Sequence, residues 1–445
     1  MEHGLEKAHP KHQTGRFKRL KNATSTVLQL VLFVTPWLYW NGRPIVMLDL
    51  PGRKLHLLHW TFWPQETHFL LLLLLIAGLL LFFVTSLLGR LWCGYACPQT
   101  LLSHSFIFVE RMIEGDRFKR IKLERGPWNE EKVRKLLFKW SIWLGMSIFL
   151  GITFAGYYTP IRALTGDLLS GDAQPGTLGI IGFFTAVSLF FFGFLRGRFC
   201  STMCPYARFQ GAMFDRDTVM VNYDVARGEP RGKAKDPSAG SCVDCKLCVQ
   251  VCPQNIDIRK GVQFECINCA ACVDACDSVM AKLERPLGLI RYASEAEIEG
   301  GKTRWKRPRP LLYAAAIVGA IGVFGYLAGT RMPLELDAVR ARDDGGFSRT
   351  ADGRISNRFE VRLINKQAPE MLVKLSLEGL DGAELVVPVN PISVPSEQSK
   401  VVSIFVLADS KTLKKAVSHF RIVATSNRDT EVVRKVETTY LRGGI

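Results

Sequence analysis

The sequence has no cysteine outside four tight groups; all 12 of its cysteines fall between Cys93 and Cys276. A secreted disulfide scaffold is short and cysteine-dense throughout, so this distribution excludes that class and points to reduced thiols in a cytosol-facing setting. No Cys-x-x-Cys-His string occurs, which argues against covalently attached c-type haem. Acidic residues are scarce, 41 against 58 Lys and Arg, for a formal charge of +17. Nucleic-acid binding would need that charge on a basic face interleaved with exposed aromatics. Here the Lys and Arg crowd between apolar runs, so the charge reads as membrane topology and no nucleic-acid partner is expected. The N-terminal region also lacks a small-residue cleavage site, and its apolar run is expected as an uncleaved anchor.

What is present is length for more than one domain and a hydrophobic share of 48%. Crossing a bilayer takes about 20 mostly apolar residues, and five stretches qualify: Ala23–Tyr39, His68–Leu88, Leu137–Tyr157, Leu178–Leu195 and Leu311–Ala328. Orientation follows the bias of Lys and Arg. Lys7 to Lys21, the loop holding Arg117 to Lys135, and the connection Arg196–Arg309 are basic, whereas the stretch after the third span has only Arg162. The expectation is an N-terminus and both basic loops inside, with the C-terminal part outside. Residues 1–22 then form a cytoplasmic tail, 23–205 four spans, 206–310 a cytoplasmic insert, 311–330 a fifth span, 331–356 a linker and 357–445 an outer domain.

The insert carries Cys242-x2-Cys245-x2-Cys248-x3-Cys252-Pro253, then Cys266-x2-Cys269-x2-Cys272-x3-Cys276. This doubled run is the bacterial two-cluster ferredoxin pattern, in which the fourth cysteine of each run serves the other cluster. Cys242, Cys245, Cys248 and Cys276 are therefore assigned to one [4Fe–4S] cluster, and Cys252, Cys266, Cys269 and Cys272 to the second. Zinc pairs are usually split by a longer spacer. Asp277 stands where proline usually follows the second run, and it removes no ligand.

The remaining cysteines are Cys93-Gly-Tyr-Ala-Cys97-Pro98 and Cys200-Ser-Thr-Met-Cys204-Pro205, each after the inner end of an apolar span and each preceded by a Gly-Arg pair, Gly89-Arg90 and Gly197-Arg198. They read as an internal duplication, and membrane repeats tend to place sites at their interface. Each pair is expected to end a helix, with proline opening the next. Brought together they offer four soft sulfurs, which suit Cu(I), zinc or iron–sulfur units; Met203 could add a thioether, and apolar packing of buried cysteines is the plainer alternative. The sparse histidines His3, His9 and His12 read as a solvated tail rather than a metal-collecting arm. His104 is a weak candidate for the same site.

Beyond the last span, Arg358–Ile364, Met371–Leu377, Glu384–Val389, Val401–Leu407, Phe420–Thr425 and Val432–Tyr440 alternate with period 2 and predict a small β-sandwich. It holds no cysteine and only His419 as histidine, so it reads as a docking module or structural cap.

The strings Asn41-Gly-Arg-Pro44, Thr61-Phe-Trp-Pro-Gln65, Trp92-Cys-Gly-Tyr-Ala-Cys-Pro-Gln-Thr100, Phe199-Cys-Ser-Thr-Met-Cys-Pro-Tyr-Ala-Arg-Phe-Gln210, Arg227-Gly-Glu-Pro-Arg-Gly232 and Gly288-Leu-Ile-Arg-Tyr292 resemble the cytochrome cbb3 oxidase accessory family known as CcoG, RdxA or FixG, over nearly the whole chain. His104 with its neighbours and Glu284-Arg285 depart from the pattern. The resemblance implies a multi-pass bacterial inner-membrane protein: an α-helical bundle of about five spans, a two-cluster ferredoxin-like insert on the cytoplasmic side and a periplasmic immunoglobulin-like sandwich. It also implies cupric reductase activity that supports oxidase assembly. Possible partners under this reading are membrane lipid, a cytosolic electron donor, a copper transporter or chaperone, oxidase assembly factors and a second copy in a homodimer. Copper would be handled at Cys93, Cys97, Cys200 and Cys204. Two alternatives are an electron-transfer subunit wired to the quinone pool and a non-catalytic redox-sensing scaffold; the outer β domain favours the accessory family.

Overall fold

A computed structural model describes residues 9–58, 60–236, 238–341, 347–367, 369–409, 416–426 and 432–442. His3 lies outside them. The chain divides into two compact units, Met1–Phe324 and Gly325–Ile445.

The first unit opens with helix α1 (Arg16–Val34), then short strands β1 (Tyr39–Trp40), β2 (Arg43–Pro44), β3 (Val46–Asp49), β4 (Lys54–Leu57) and β5 (Trp60–Phe62). Helices α2 (Thr67–Leu88), α3 (Leu91–Tyr95), α4 (Pro98–Glu114), α5 (Arg117–Arg125), α6 (Glu130–Ala155), α7 (Ile161–Ser170), α8 (Pro175–Ser188) and α9 (Pro205–Gly211) follow; α8 runs on as a π-helical stretch, Leu189–Leu195. Among the described residues four helices are long and apolar enough to cross a membrane: Pro64–Leu88, Glu130–Ala155, Pro175–Leu195 and Pro308–Gly329.

The helix at the expected first span is more polar than these four. It stops at Val34, before Pro36, and begins among Arg16, Lys18, Arg19 and Lys21, so α1 is not among the four. Its length alone, 19 residues, gives a rod of about 28 Å. At one end the backbone N–H groups of Phe17 and Lys18 donate to the Asp274 carboxylate at 3.1 and 2.7 Å. At the other, Tyr157 Oη, just past the end of α6, donates to Leu32 O at 2.8 Å. The polar composition serves a buried face: Lys21 and Ser25 are buried, and Gln29 Nε2 reaches Leu101 O and Ser105 Oγ on α4.

The longer helices pack through small residues, as expected where both solvent and side chains are apolar. A Cβ on Gly151 of α6 would stand 2.7 Å from Ile181 O of α8. At the cysteine-bearing end of the bundle sits a buried charge cluster. Glu110, fully buried, meets Arg196 at 2.5 Å, Arg120 at 3.7 Å and Lys139 at 3.9 Å, while Lys139 also holds Glu114 at 2.5 Å. Part of the positive charge that sequence assigns to topology is therefore structural.

The cluster insert contains β6 (Met220–Tyr223), α10 (Val225–Gly228), α11 (Leu247–Gln250), α12 (Ala271–Lys282), β7 (Ile290–Ala293) and α13 (Glu295–Ile298), with β6 and β7 antiparallel. The chain then enters α14 (Pro308–Gly329), whose start is tied to α2 by Arg307 Nη2 donating to Ser86 O at 3.0 Å.

Beyond the last turn of α14, the described residues of the second unit build two β-sheets. One antiparallel sheet has β8 (Leu334–Arg340), β9 (Ser348–Arg349), β10 (Ile355–Asn365), β12 (Glu384–Val386) and β14 (Ser399–Ala408); the other has β11 (Met371–Glu378), β13 (Ile392–Val394), β15 (Val417–Ser426) and β16 (Val432–Leu441). Alternation decides the facing: Met371, Val373 and Leu375 are buried, Leu372 and Lys374 exposed. The predicted linker 331–356 is corrected in part, because β8 pairs along β10 from Arg340 opposite Phe359 to Leu334 opposite Asn365. Its short alternating run, Leu334-Glu-Leu-Asp-Ala, was overlooked beside the Asp/Gly/Arg-rich segment.

Candidate functional site

The two ferredoxin-type runs fold alike because the same positions leave the right-handed region. Asp244 and Lys246 flank Cys245 with φ of 48° and 57°, and Asn268 and Ala270 flank Cys269 with φ of 56° and 54°. Asp and Asn tolerate this conformation. Alternating backbone hands turn successive N–H groups inward, a concavity suited to anionic sulfur. The halves differ after the third cysteine. In the first, α11 stops at Gln250 and Pro253 follows Cys252; in the second, Asp277 lets α12 continue to Lys282 while its Oδ1 accepts from Gly288 N at 2.9 Å. The departure at Arg285 is also structural: its guanidinium donates to Gly240 O and Ser241 O, pinning the loop before Cys242.

Two cavities result. Cys242, Cys245, Cys248 and Cys276 line one, with Leu289 and Ile290. Cys252, Cys266, Cys269 and Cys272 line the other, where Cys248 also reaches. These are the two quartets expected from spacing. Among the described residues no three His, Cys, Asp or Glu side chains converge closely enough for a single metal ion. Four cysteines meeting in each cavity are the donor set that a [4Fe–4S] cluster takes. Burial pushes the thiols up, Cys248 and Cys266 to about 11 and Cys252 and Cys276 to about 12, with neighbouring sulfurs adding to it. Only a strong positive charge, such as bound iron provides, would let such thiols ionise together.

The two Cys-x3-Cys-Pro segments adopt one geometry. Cys97 and Cys204 are both the extended residue before a proline-led helix, with φ/ψ of −65°/125° and −68°/112°. Aligned on their cysteines, the residues four positions upstream are Gly89 and Arg196, and both end a long helix with positive φ, 56° and 48°. This corrects the pairing of Gly89-Arg90 with Gly197-Arg198, which is one residue out of register. For Arg196 that backbone is strained. Its side chain compensates, donating from Nε to Gly193 O at 2.8 Å and pairing with Glu110.

The repeats clasp each other through the residue after each Cys-Pro. Gln99 Nε2 donates to Phe191 O and Arg196 O of the second repeat, at 3.0 and 3.2 Å. Tyr206 Oη shares a 2.5 Å hydrogen bond with Thr85 Oγ1 on the helix of the first. This exchange gathers the four thiols. Burial pushes Cys200 up to about 12, and the nearby Cys97, Cys93 and Cys204 sulfurs reinforce it. Burial also raises Cys93 and Cys97. Gln210 links the repeats again, lying 3.6 Å from Cys93 Sγ through Nε2 and accepting from Arg90 Nε at 2.5 Å. Sequence reading missed Gln99, Tyr206 and Gln210; a polar side chain right after both Cys-Pro pairs was the available signal.

The second cavity rests on both repeats. A Cβ on Gly94, between Cys93 and Cys97, would fall 2.6 Å from Ile267 O and 3.1 Å from Cys269 Cα. Tyr95 Oη donates to Cys269 O at 3.3 Å, and Arg90 Nη1 to Phe264 O at 2.5 Å. On the other repeat a Cβ on Gly197 would sit 3.3 Å from Pro253 O. Cys245 of the first cavity is exposed.

The histidines go elsewhere. His9 is buried, with Nε2 2.5 Å from Glu124, so the solvated-tail expectation is corrected there: the segment packs between the insert and α5, Lys11 N donating to Gln250 O at 2.8 Å. His12 is exposed, its backbone N–H on Asp116. His104 Nε2 faces Lys18 Nζ rather than the thiols.

Comparison with known proteins agrees with this anatomy. Residues 195–295 match a 4Fe-4S dicluster domain, 68–111 a 4Fe-4S binding domain, and 324–443 the immunoglobulin-like C-terminal domain of FixG. Protein RdxB of Cereibacter sphaeroides is 39% identical over 92% of this chain and 90% of its own length. Nitrogen fixation protein FixG of Rhizobium meliloti is 38% identical over 85% and 80%, and RdxA of C. sphaeroides 39% over 84% and 82%. With two cysteine-lined cavities, apolar helices and an immunoglobulin-like unit all in place, the chain belongs to the FixG/RdxA family of iron–sulfur oxidoreductases.

Proposed function

We propose that the protein is a cupric reductase of the bacterial inner membrane, delivering Cu(I) for assembly of a haem–copper oxidase. The observation that carries the reading is the backbone contact of Gly94 with Ile267 and Cys269, which sets one cluster loop directly against the thiol quartet. Cys242, Cys245, Cys248 and Cys276 would hold one [4Fe–4S] cluster, and Cys252, Cys266, Cys269 and Cys272 the second. Bound there, such clusters supply single electrons at low potential. Cys245 offers the exposed edge toward a cytosolic electron donor, with the insert inside and the immunoglobulin-like unit in the periplasm. Cys93, Cys97, Cys200 and Cys204 receive copper as substrate: each Cu(II) takes one electron from that donor and leaves as Cu(I), the ion soft thiolates favour. Gln210 and Arg90 position Cys93.

A second reading draws on the match of residues 68–111 to a 4Fe-4S binding domain: the four thiols hold an iron–sulfur unit of their own. Iron analysis of the Cys93→Ser/Cys97→Ser protein separates the two. A reductase with a copper-handling quartet keeps about eight iron atoms per chain in both forms and loses Cu(I) production in the variant. A drop from about twelve to about eight supports the second reading. Unchanged Cu(I) production overturns the assignment of copper to these cysteines.

A further inference from the structure

A cavity of about 1340 Å³ opens beside the thiol quartet, between the start of α1, α4, the first turns of α6, the end of the α8 helix and the loop around Pro253. Eleven Lys and Arg residues line it against four Asp and Glu. Of those acids, Asp257 is held by Arg259, Asp274 caps α1 and Glu124 meets His9. Three of the cations are matched from behind the lining: Arg120, Lys139 and Arg196 share Glu110, and Lys139 holds Glu114. Others are less well served. Lys21, which is buried, makes no ion pair among the described residues. Lys18 is pressed against neutral His104, and burial together with Lys21 and Arg111 brings it down to about 8. Such a site lacks negative charge. Its lining is not uniformly polar: Phe194 at the end of the α8 helix and Trp140 on α6, both exposed, contribute an apolar side where two spanning helices end.

We propose that this cavity is a phosphate site for an acidic membrane lipid, the headgroup phosphate meeting Lys18, Lys21 and Arg111, with the acyl chains against Phe194 and Trp140. Basic pockets between spanning helices recognise anionic headgroups in this way, and aromatic side chains mark the interface depth. The alternative source of the same chemistry is a soluble phosphate. A bound lipid would brace the Pro253 loop, and with it the second cysteine cavity, against the bundle.

The test uses the full chain with its iron intact, in nanodiscs of phosphatidylcholine with graded phosphatidylglycerol, and native mass spectrometry to count retained lipid. The expected result is retention of phosphatidylglycerol over phosphatidylcholine by about tenfold or more, lost in a Lys18→Gln/Lys21→Gln/Arg111→Gln variant. Unchanged iron content shows that the variant is folded; should iron fall, the single Arg111→Gln protein replaces it, with a partial loss expected. If detergent-purified protein instead binds inorganic phosphate, with the same dependence on these three residues and no lipid preference, the ligand is soluble and the lipid assignment falls. Equal retention of both lipids without phosphate binding, or a variant that behaves as the parent, overturns the site altogether.

Discussion

The two Cys-x3-Cys-Pro repeats reach the same backbone by different means. Where the first ends its helix on Gly89, the second uses Arg196, strained but anchored in a buried charge cluster. Where the first has Gly94 against the cluster loop, the second has Ser201, whose hydroxyl donates to Arg198 O. Where the first carries His104, the second has Gly211. The first repeat thus makes the tighter backbone contact with the insert, and the second fixes charge at the membrane edge.

Breaking the charge anchor should have the largest effect. Arg196→Leu leaves Glu110 short of its nearest cation, 2.5 Å away, and should lower stability by about 3 kcal/mol in a thermal or denaturant unfolding series. Arg196→Gly should lose slightly less, since relief of the left-handed backbone returns about 1 kcal/mol. Equal losses would mean that the strain is absent. Next comes the docking face: Gly94→Ala must push backbone atoms 2.6 and 3.1 Å away, at a cost of about 1–3 kcal/mol, and should release iron on heating well before the parent does. Ser201→Ala, its counterpart, should melt as the parent; if the two substitutions behave alike, the division of labour between repeats is wrong.

The smallest expected effect sharpens the contrast at His104. Burial first, then Lys18, Lys21 and Arg111, bring its ring from 6.5 to about 3, so the folded protein keeps it neutral. Below pH 6.5 the unfolded chain takes up a proton that the folded one refuses, so stability falls as pH drops through 6.5 toward 3. Between pH 7 and 6 the loss should be under about 1 kcal/mol, and His104→Phe should remove it from the pH profile of the melting temperature.

Local rules explain what could be read in advance. Eight cysteines at ferredoxin spacing line two cavities because three of each four come from one local loop, its Asp or Asn placed where the backbone must turn left-handed. Four spans were legible because length and hydropathy are additive. The α1 helix differs from those four because Gln29 on its polar face is satisfied by Leu101 and Ser105 of α4, a partner no single window sees. The same holds for the exchange of Gln99 and Tyr206, and for Glu110 among Arg120, Lys139 and Arg196: contacts between distant segments give no periodic signal. The register of the two repeats went astray because Gly-Arg identity outweighed the cysteines, although the backbone follows the cysteines.

The most direct measurement is an anaerobic EPR titration of the reduced, cluster-loaded protein with Cu(II). The expected result is loss of the reduced-cluster signal in step with added copper while the Cu(II) signal stays absent, one electron per ion, and failure of that coupling in Cys93→Ser/Cys97→Ser. A Cu(II) signal that grows from the first addition, beside clusters that remain reduced, would contradict copper reduction at the thiol quartet.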